Sequence, residues 1–307
     1  MLRFNQLCIF DADKKEYRMG DFSLISLFQK NDEIAIFLKT IIFLLFFLPS
    51  IVFASTPERV CAFLRVKNEI KTIEACLDSI DGVFDRIVII HSNESDDGSI
   101  SLMNKWCAER SYCEIHEYPY SVIPSHHEKY KKGTYNPENS LASYYNFGLQ
   151  FFEPEDWVVK IDGDQVYLKN ELKKFVQPFR EGKMDGSKKY GLKGYNSFVR
   201  KNELVLFKGR TINGGWDNFF VKRKYIEPFE QKRYYESNVI SVPNGYLSRP
   251  VWFHFMKSLK SKGVEQSNDQ VSLDEIQYLS SKEKELFETN IRPLLKNSPY
   301  YQIRIPK

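Results

Sequence analysis

Between residues 60 and 164, short runs of β-branched and apolar side chains alternate with stretches whose apolar residues recur every three or four positions. That alternation is the strongest constraint on what the chain can fold into. Val60-Cys61-Ala62-Phe63-Leu64 reads as a buried strand, and Ile70, Ile73, Leu77 and Ile80 then follow at helical spacing. Residues 84–90 form a second apolar run, followed by a helical pattern through Ile100, Met103 and Trp106/Cys107. A third strand is expected at Cys113–Tyr118, then a polar loop over 124–139, a helix over 139–152 and a fourth strand at 157–161. The order predicts an α/β, Rossmann-like, mostly parallel sheet flanked by helices, whose ligands bind beyond the carboxyl ends of the strands.

The fourth strand ends in Asp162-Gly163-Asp164. Two carboxylates around a glycine at such a rim offer hard oxygen ligands for Mg²⁺ or Mn²⁺ and leave room for close approach to the backbone. The same tripeptide also serves as an ordinary turn, because Asp and Gly both favour turns. At the end of the first strand, Arg65, Lys67, Asn68 and Glu69 are placed to grip a base and a diphosphate, or else Asn68 and Glu69 cap the next helix. After the second strand, Asp96 and Asp97 open a polar loop with Gly98 and Ser99 that suits a ribose or a base edge, or again a helix cap.

The second half has strand-like runs at 195–199 and 204–207, and then Gly214-Gly215-Trp216-Asp217 entering another apolar run. Trp216 is suited to stacking on a sugar, with Asp217 reaching a hydroxyl; a structural turn is the alternative. His254 lies in the apolar run 251–256, where a lone histidine is a core residue or a metal ligand. Adjacent His126 and His127 in the loop lack further ligands. Ser272…Glu275 and Ser280…Glu283 are capping boxes expected to open two amphipathic helices.

The 307 residues carry 44 basic and 40 acidic side chains, a net charge of +4 that gives no nucleic-acid signature. Five scattered cysteines without a CxxC pair argue against a disulfide framework and a structural zinc site and point to a reducing compartment. Residues 34–54 are strongly apolar, but the uninterrupted part, 40–54, falls short of the ~20 residues of a spanning helix. A membrane-associated or re-entrant anchor, a true span, and a signal sequence or buried helix all remain open.

Four motifs then carry a resemblance: 63–69 (Phe-Leu-Arg-Val-Lys-Asn-Glu), 96–99 (Asp-Asp-Gly-Ser), 143–146 (Ser-Tyr-Tyr-Asn) and 157–164 (Trp-Val-Val-Lys-Ile-Asp-Gly-Asp). In this order they resemble the bacterial β-1,4-N-acetylgalactosaminyltransferase family of lipooligosaccharide synthesis known from Campylobacter, itself similar to family 2 glycosyltransferases of GT-A fold. The resemblance implies a metal-dependent, inverting transfer of a sugar from a UDP-sugar to a glycan or glycolipid acceptor, at the cytoplasmic face of the bacterial inner membrane. It implies a divalent cation (Mn²⁺ or Mg²⁺) on Asp162, Asp164 and His254, a nucleotide-sugar site of Arg65, Asn68, Glu69, Asp96, Asp97, Lys160 and Asp162, and Asp217 as catalytic base beside Trp216 in the acceptor site. The domains expected are an N-terminal segment (1–58), a GT-A catalytic domain (59–263, its nucleotide-binding half ending at 180) and a helical tail (264–307). A nucleotidyltransferase of similar fold is the rival enzyme class, although residues 65–69 lack the glycines of its phosphate loop. A catalytically inactive membrane-bound relative is the rival outside enzymes.

Overall fold

A computed structural model of the chain describes residues 7–11, 16–20, 57–124, 127–208, 218–233, 236–237, 239–256, 258–261, 264–267 and 271–306. They fall in two compact units, Met1–Ala54 and Ser55–Lys307. In the first, β1 (Leu7–Asp11) and β2 (Glu16–Gly20) pair antiparallel. The apolar run 34–54 lies outside the described residues, and among those described no helix is long and apolar enough to cross a membrane.

The second unit is a ten-stranded mixed sheet with helices packed on it. Its parallel half runs β6 (Trp157–Asp162), β3 (Val60–Val66), β4 (Arg86–Ser92), β5 (Cys113–Tyr118), joined through α1 (Ile73–Ile80), α2 (Ser99–Ala108), α3 (Glu128–Lys132) and α4 (Leu141–Leu149). Alternate residues of these strands enter two cores, which is why the runs are apolar throughout rather than every second residue. Val60, Ala62, Leu64 and Val66 pack with α1 and α2, while Cys61, Phe63, Val88 and Ile90 pack with α4. Gly148 lets α4 approach the sheet closely, since a Cβ there would lie 2.3 Å from the Phe63 ring. At the strand starts, Arg59 grips buried Asp156 through both carboxylate oxygens, at 2.6 and 2.8 Å.

From β6 the chain turns into β7 (Gln165–Tyr167) and α5 (Lys169–Arg180), then runs through β8 (Lys189–Arg200), β9 (Glu203–Phe207), β10 (Phe219–Lys222), the short strands β11 (Glu230–Gln231) and β12 (Glu236–Ser237), and β13 (Asn244–Met256). β10 joins β6 to β8 with antiparallel pairing on both sides. β13 runs parallel to β8 and antiparallel to β7, which sets His254 opposite Gln165. After the β14–β15 hairpin (Ser258–Ser261 and Val264–Ser267) come β16 (Ile276–Gln277) on β9 and α6 (Ser281–Leu286). Phe287, Ile291, Leu295 and Ile303 of the C-terminal segment share a core with Val166, Phe253 and Phe255.

Three expectations change. Cys107 and Cys113 form a disulfide, because the turn from α2 into β5 brings their Cα atoms to 5.1 Å, a closeness no spacing motif announces. Cys61 and Cys76 are free and buried. The capping box at Ser272 opens only a 3-10 turn, Leu273–Glu275, before β16; the box at Ser280 does open a helix. Ile70 is 37% exposed and precedes α1, because Asn68 at φ +57° turns the chain between β3 and the helix.

Candidate active site

The parallel strands end on one rim, and register sets what meets there: Arg65 of β3 lies beside Asp162 of β6. Lys160 and Asp162, two apart on β6, share a face, with Lys160 Nζ 3.3 Å from Asp162 Oδ1. Burial pulls the Asp162 carboxyl upward, but the charges of Lys160, Arg65 and His254 outweigh it and hold Asp162 below the usual carboxylate value. The turn at Gly163 and Asp164 then leads into β7, whose pairing with β13 brings His254 Nε2 to 3.1 Å from Asp164 Oδ2. Burial disfavours charge on His254, yet Asp164 and Asp162 more than offset this and raise its pKa above the ordinary imidazole value. Asp162 and Asp164 keep 27% and 18% of their side-chain surface exposed, so a ligand can reach both.

Glu69 packs against this turn. A Cβ on Gly163 would meet Glu69 Cγ at 3.1 Å and Ile73 Cδ1 at 3.3 Å, so glycine sets how closely the β3 loop and the β6 turn approach. The Arg65 guanidinium lies 4.0 Å from the Tyr145 ring centroid, and Tyr145 stacks on Phe229 at 4.4 Å. Arg65 Nε is buried and has no hydrogen-bond partner among the described residues. A buried guanidinium donor in that state is suited to an anionic ligand.

Asn68 and Asp97 turn out to brace the rim. Asn68 Oδ1 accepts from the Asp96 N–H at 3.1 Å. Asp97 Oδ2 accepts from the Ile70 N–H at 2.9 Å and Oδ1 from the Ser99 N–H at 3.0 Å, which ties the β3 loop to the start of α2. Asp96, by contrast, is exposed at the mouth of the loop. The structure thus brings Arg65, Glu69, Lys160, Asp162, Asp164 and His254 to one place, with the Asn68–Asp96–Asp97 loops beside it. Trp216 and Asp217 lie outside the described residues, as does His126; His127 Nδ1 accepts from the Lys129 N–H and caps α3.

Residues to which the motifs assign no role hold the rim from beneath. Asn218 is buried and its Nδ2 donates to the Lys160 carbonyl at 3.0 Å and to Gln165 Oε1 at 3.2 Å. Tyr167 Oη donates to that same Gln165 oxygen at 2.7 Å. Tyr144 Oη lies 3.0 and 2.9 Å from the carbonyls of Val66 and Ile90 and shares its single proton between the ends of β3 and β4. Buried amides and phenols at strand ends were the available signal, but which carbonyl each reaches depends on pairing far apart in sequence.

Among the described residues no group of three or more His, Cys, Asp and Glu side chains stands arranged to hold a metal ion. The carboxylates of Asp162 and Asp164 are nevertheless donors of the kind that Mn²⁺ and Mg²⁺ accept, and the imidazole of His254 suits the softer Mn²⁺ better than Mg²⁺.

Among solved structures, the chain is similar to S. aureus TarS in two crystal structures, at 12% and 14% identity and TM-scores of 0.40 and 0.41. It covers 64% and 65% of its own length there and 60% and 37% of those chains, so it spans less than two thirds of either. A UDP-glucose pyrophosphorylase complexed with UDP-glucose is similar at 8% identity and TM-score 0.31, over 54% of this chain and 76% of that one. Likeness this distant fixes no chemistry. No curated protein matches the chain. A family model does: residues 53–207, half of the sequence and the part that contributes the strands, loops and paired aspartates of the rim, match the description beta-1,4-N-acetylgalactosaminyltransferase (CgtA), and the chain belongs to that family of glycosyltransferases.

Proposed function

We propose that this glycosyltransferase has a GT-A fold and transfers a sugar, GalNAc or another hexose or N-acetylhexosamine, from a UDP-linked donor to a hydroxyl of a lipooligosaccharide or related surface glycan. The observation that carries this reading is the approach of His254 to Asp164 beside Asp162, at the edge where open α/β sheets bind ligands. Asp162, Asp164 and His254 are the residues that would hold a Mn²⁺ or Mg²⁺ ion. Such an ion, when bound, supplies positive charge that stabilises the departing diphosphate.

The chain's own residues do the remainder. Arg65, stacked on Tyr145, and Lys160 direct fixed positive charge at the phosphates in a partly buried site, where little solvent has to reorganise. Asp96 at the loop mouth accepts from a ribose hydroxyl or base edge, while Asn68 and Asp97 hold that loop and Glu69 seats the turn. Asp217 directly precedes the anchored Asn218. We assign it as the base that takes the proton of the acceptor hydroxyl as this attacks the anomeric carbon from the face opposite UDP, inverting it, with Trp216 stacking on the acceptor. The apolar run 34–54 would keep the enzyme at the cytoplasmic face of the bacterial inner membrane, where nucleotide sugars and lipid-linked acceptors meet.

Incubation with UDP-GalNAc, UDP-GlcNAc, UDP-Gal and UDP-Glc, with Mn²⁺ or with a chelator, tests this directly. UDP release that needs the cation and favours one donor is expected. Release that is indifferent to chelation contradicts the metal assignment, and the absence of release or transfer from any of the four contradicts the donor assignment.

A further inference from the structure

The C-terminal segment lies beyond the part of the chain that matches the family, yet it is fastened to both sides of the rim. On one side Ser298 Oγ donates to the Lys71 carbonyl and Asn297 Nδ2 to Glu74 Oε1 at 3.0 Å, just after Glu69. On the other, the Tyr300 ring stacks on Phe255 with centroids 5.4 Å apart and planes 17° from parallel. Phe255 follows His254, and its N–H donates to the Asp164 carbonyl at 2.8 Å. The 3-10 turn Pro299–Gln302 is held by its own cap, Ser298 Oγ accepting from the Tyr300 N–H at 3.1 Å, and by the buried Leu295 and Ile303 on either side. Tyr300 is therefore a half-buried aromatic residue set between the Glu69 loop and the Asp164–His254 corner.

We propose that Tyr300 is a specificity-determining residue of the donor site, which meets the glycosyl group of the sugar nucleotide from the C-terminal side. The proposal rests on the donor reading above. Along the rim β3 and β4 follow β6 on one side, while the turn after Asp162 leads through Asp164 into β7 and its partner β13. With the nucleoside at the loops after β3 and β4 and the diphosphate at Asp162 and Asp164, the sugar falls towards the Asp164–His254 corner, within reach of the partly exposed Tyr300, whose ring the buried Phe255 backs. A flat ring beside a carboxylate corner fits that ligand, because it packs on the C–H face of a pyranose while its hydroxyl reaches one of the sugar's oxygens. Burial first, and then the negative charge of Glu69 and Asp164, push the Tyr300 phenol above its ordinary value.

Tyr300→Phe tests this, since it keeps the ring on Phe255 and removes only the hydroxyl; the melting temperature checks that the fold is intact. Binding of UDP and of the four UDP-sugars is measured by calorimetry with Mn²⁺, alongside KM and kcat for UDP release. The expected result is unchanged UDP affinity, roughly tenfold weaker binding and higher KM for the preferred UDP-sugar, and a narrowed gap between donors. Tyr300→Ala should widen the loss for UDP-sugars while UDP still binds. Unchanged donor affinity and preference in Tyr300→Phe, in a wild-type enzyme that does bind UDP-sugars, overturns the proposal and leaves the donor reading standing. An equal loss for UDP and UDP-sugars also overturns it, and wild-type protein that binds no UDP-sugar overturns both.

Discussion

Two strand ends of the sheet carry paired acidic residues, and the structure uses them in opposite ways. After β4, both oxygens of Asp97 accept from backbone N–H groups, of Ile70 and Ser99, so its charge is committed to holding two loops together. After β6, the near neighbours of Asp162 and Asp164 are Lys160 and His254, side chains that can exchange one charged partner for another when a ligand arrives. A carboxylate saturated by backbone donors is a structural part, whereas one balanced against side-chain cations and still partly exposed is available for chemistry. Sequence shows two acidic strand ends; only the identity of the donors separates them.

Breaking the second pair should have the largest effect. Asp164→Asn is expected to lower turnover of the preferred UDP-sugar by about 10²–10³-fold, as loss of a charge-stabilising group typically does, while stability moves by less than about 1 kcal/mol. Steady-state kinetics beside thermal melting checks both halves, and full turnover in the variant would dissolve the distinction. The first pair should show the reverse pattern. Asp97→Ala leaves two N–H groups without their acceptor and is expected to cost about 1–2 kcal/mol, each kcal/mol appearing as roughly 2–4 °C in Tm, with activity recovering on cooling. An Asp97→Ala enzyme that melts normally but is inactive would make Asp97 a ligand-binding residue after all.

Gly163→Ala sharpens the contrast by moving the second pair without removing it. The new methyl meets Glu69 Cγ at 3.1 Å, so the Glu69 loop has to yield by a few tenths of an ångström, and a roughly threefold to tenfold rise in KM at a stability cost of about 1 kcal/mol is expected. The smallest effect belongs to Asp96→Asn. That side chain is exposed and stability should change by less than about 0.5 kcal/mol, while UDP affinity falls a few-fold if Asp96 touches the nucleotide; equal affinity would leave the β4 loop as scaffold alone.

The local half of this architecture was legible in the residues themselves. The strand at Cys113–Tyr118 has the bounds read from the sequence, and β3, β4, β6 and α2 fall within a few residues of theirs, because an apolar run buried on both faces and a 3.6-residue period are local signals. What the sequence hid is non-local. His254 reads from sequence as a core residue or a metal ligand, and only the pairing of β7 with β13 sets it on Asp164. Asn218 and Gln165 gain their meaning from each other across 53 positions. The tail after residue 263 read as two plain helices, yet it supplies Phe287, Ile291 and Leu295 to the core under β13 and sets Tyr300 beside the site. Asp97 reads from sequence as a nucleotide contact or a helix cap; in the fold its carboxylate accepts from the Ile70 and Ser99 N–H groups, while the N-cap of α2 is Gly98.

The meeting of Asp162 and Asp164 with a cation and a nucleotide's phosphates is put to the test by calorimetry of UDP binding to the wild-type chain and to Asp164→Asn, each with Mn²⁺ and with a chelator. The wild type should bind UDP at least about tenfold more tightly with Mn²⁺ than without, and the variant should bind weakly and equally in both conditions. Four equal affinities would contradict it.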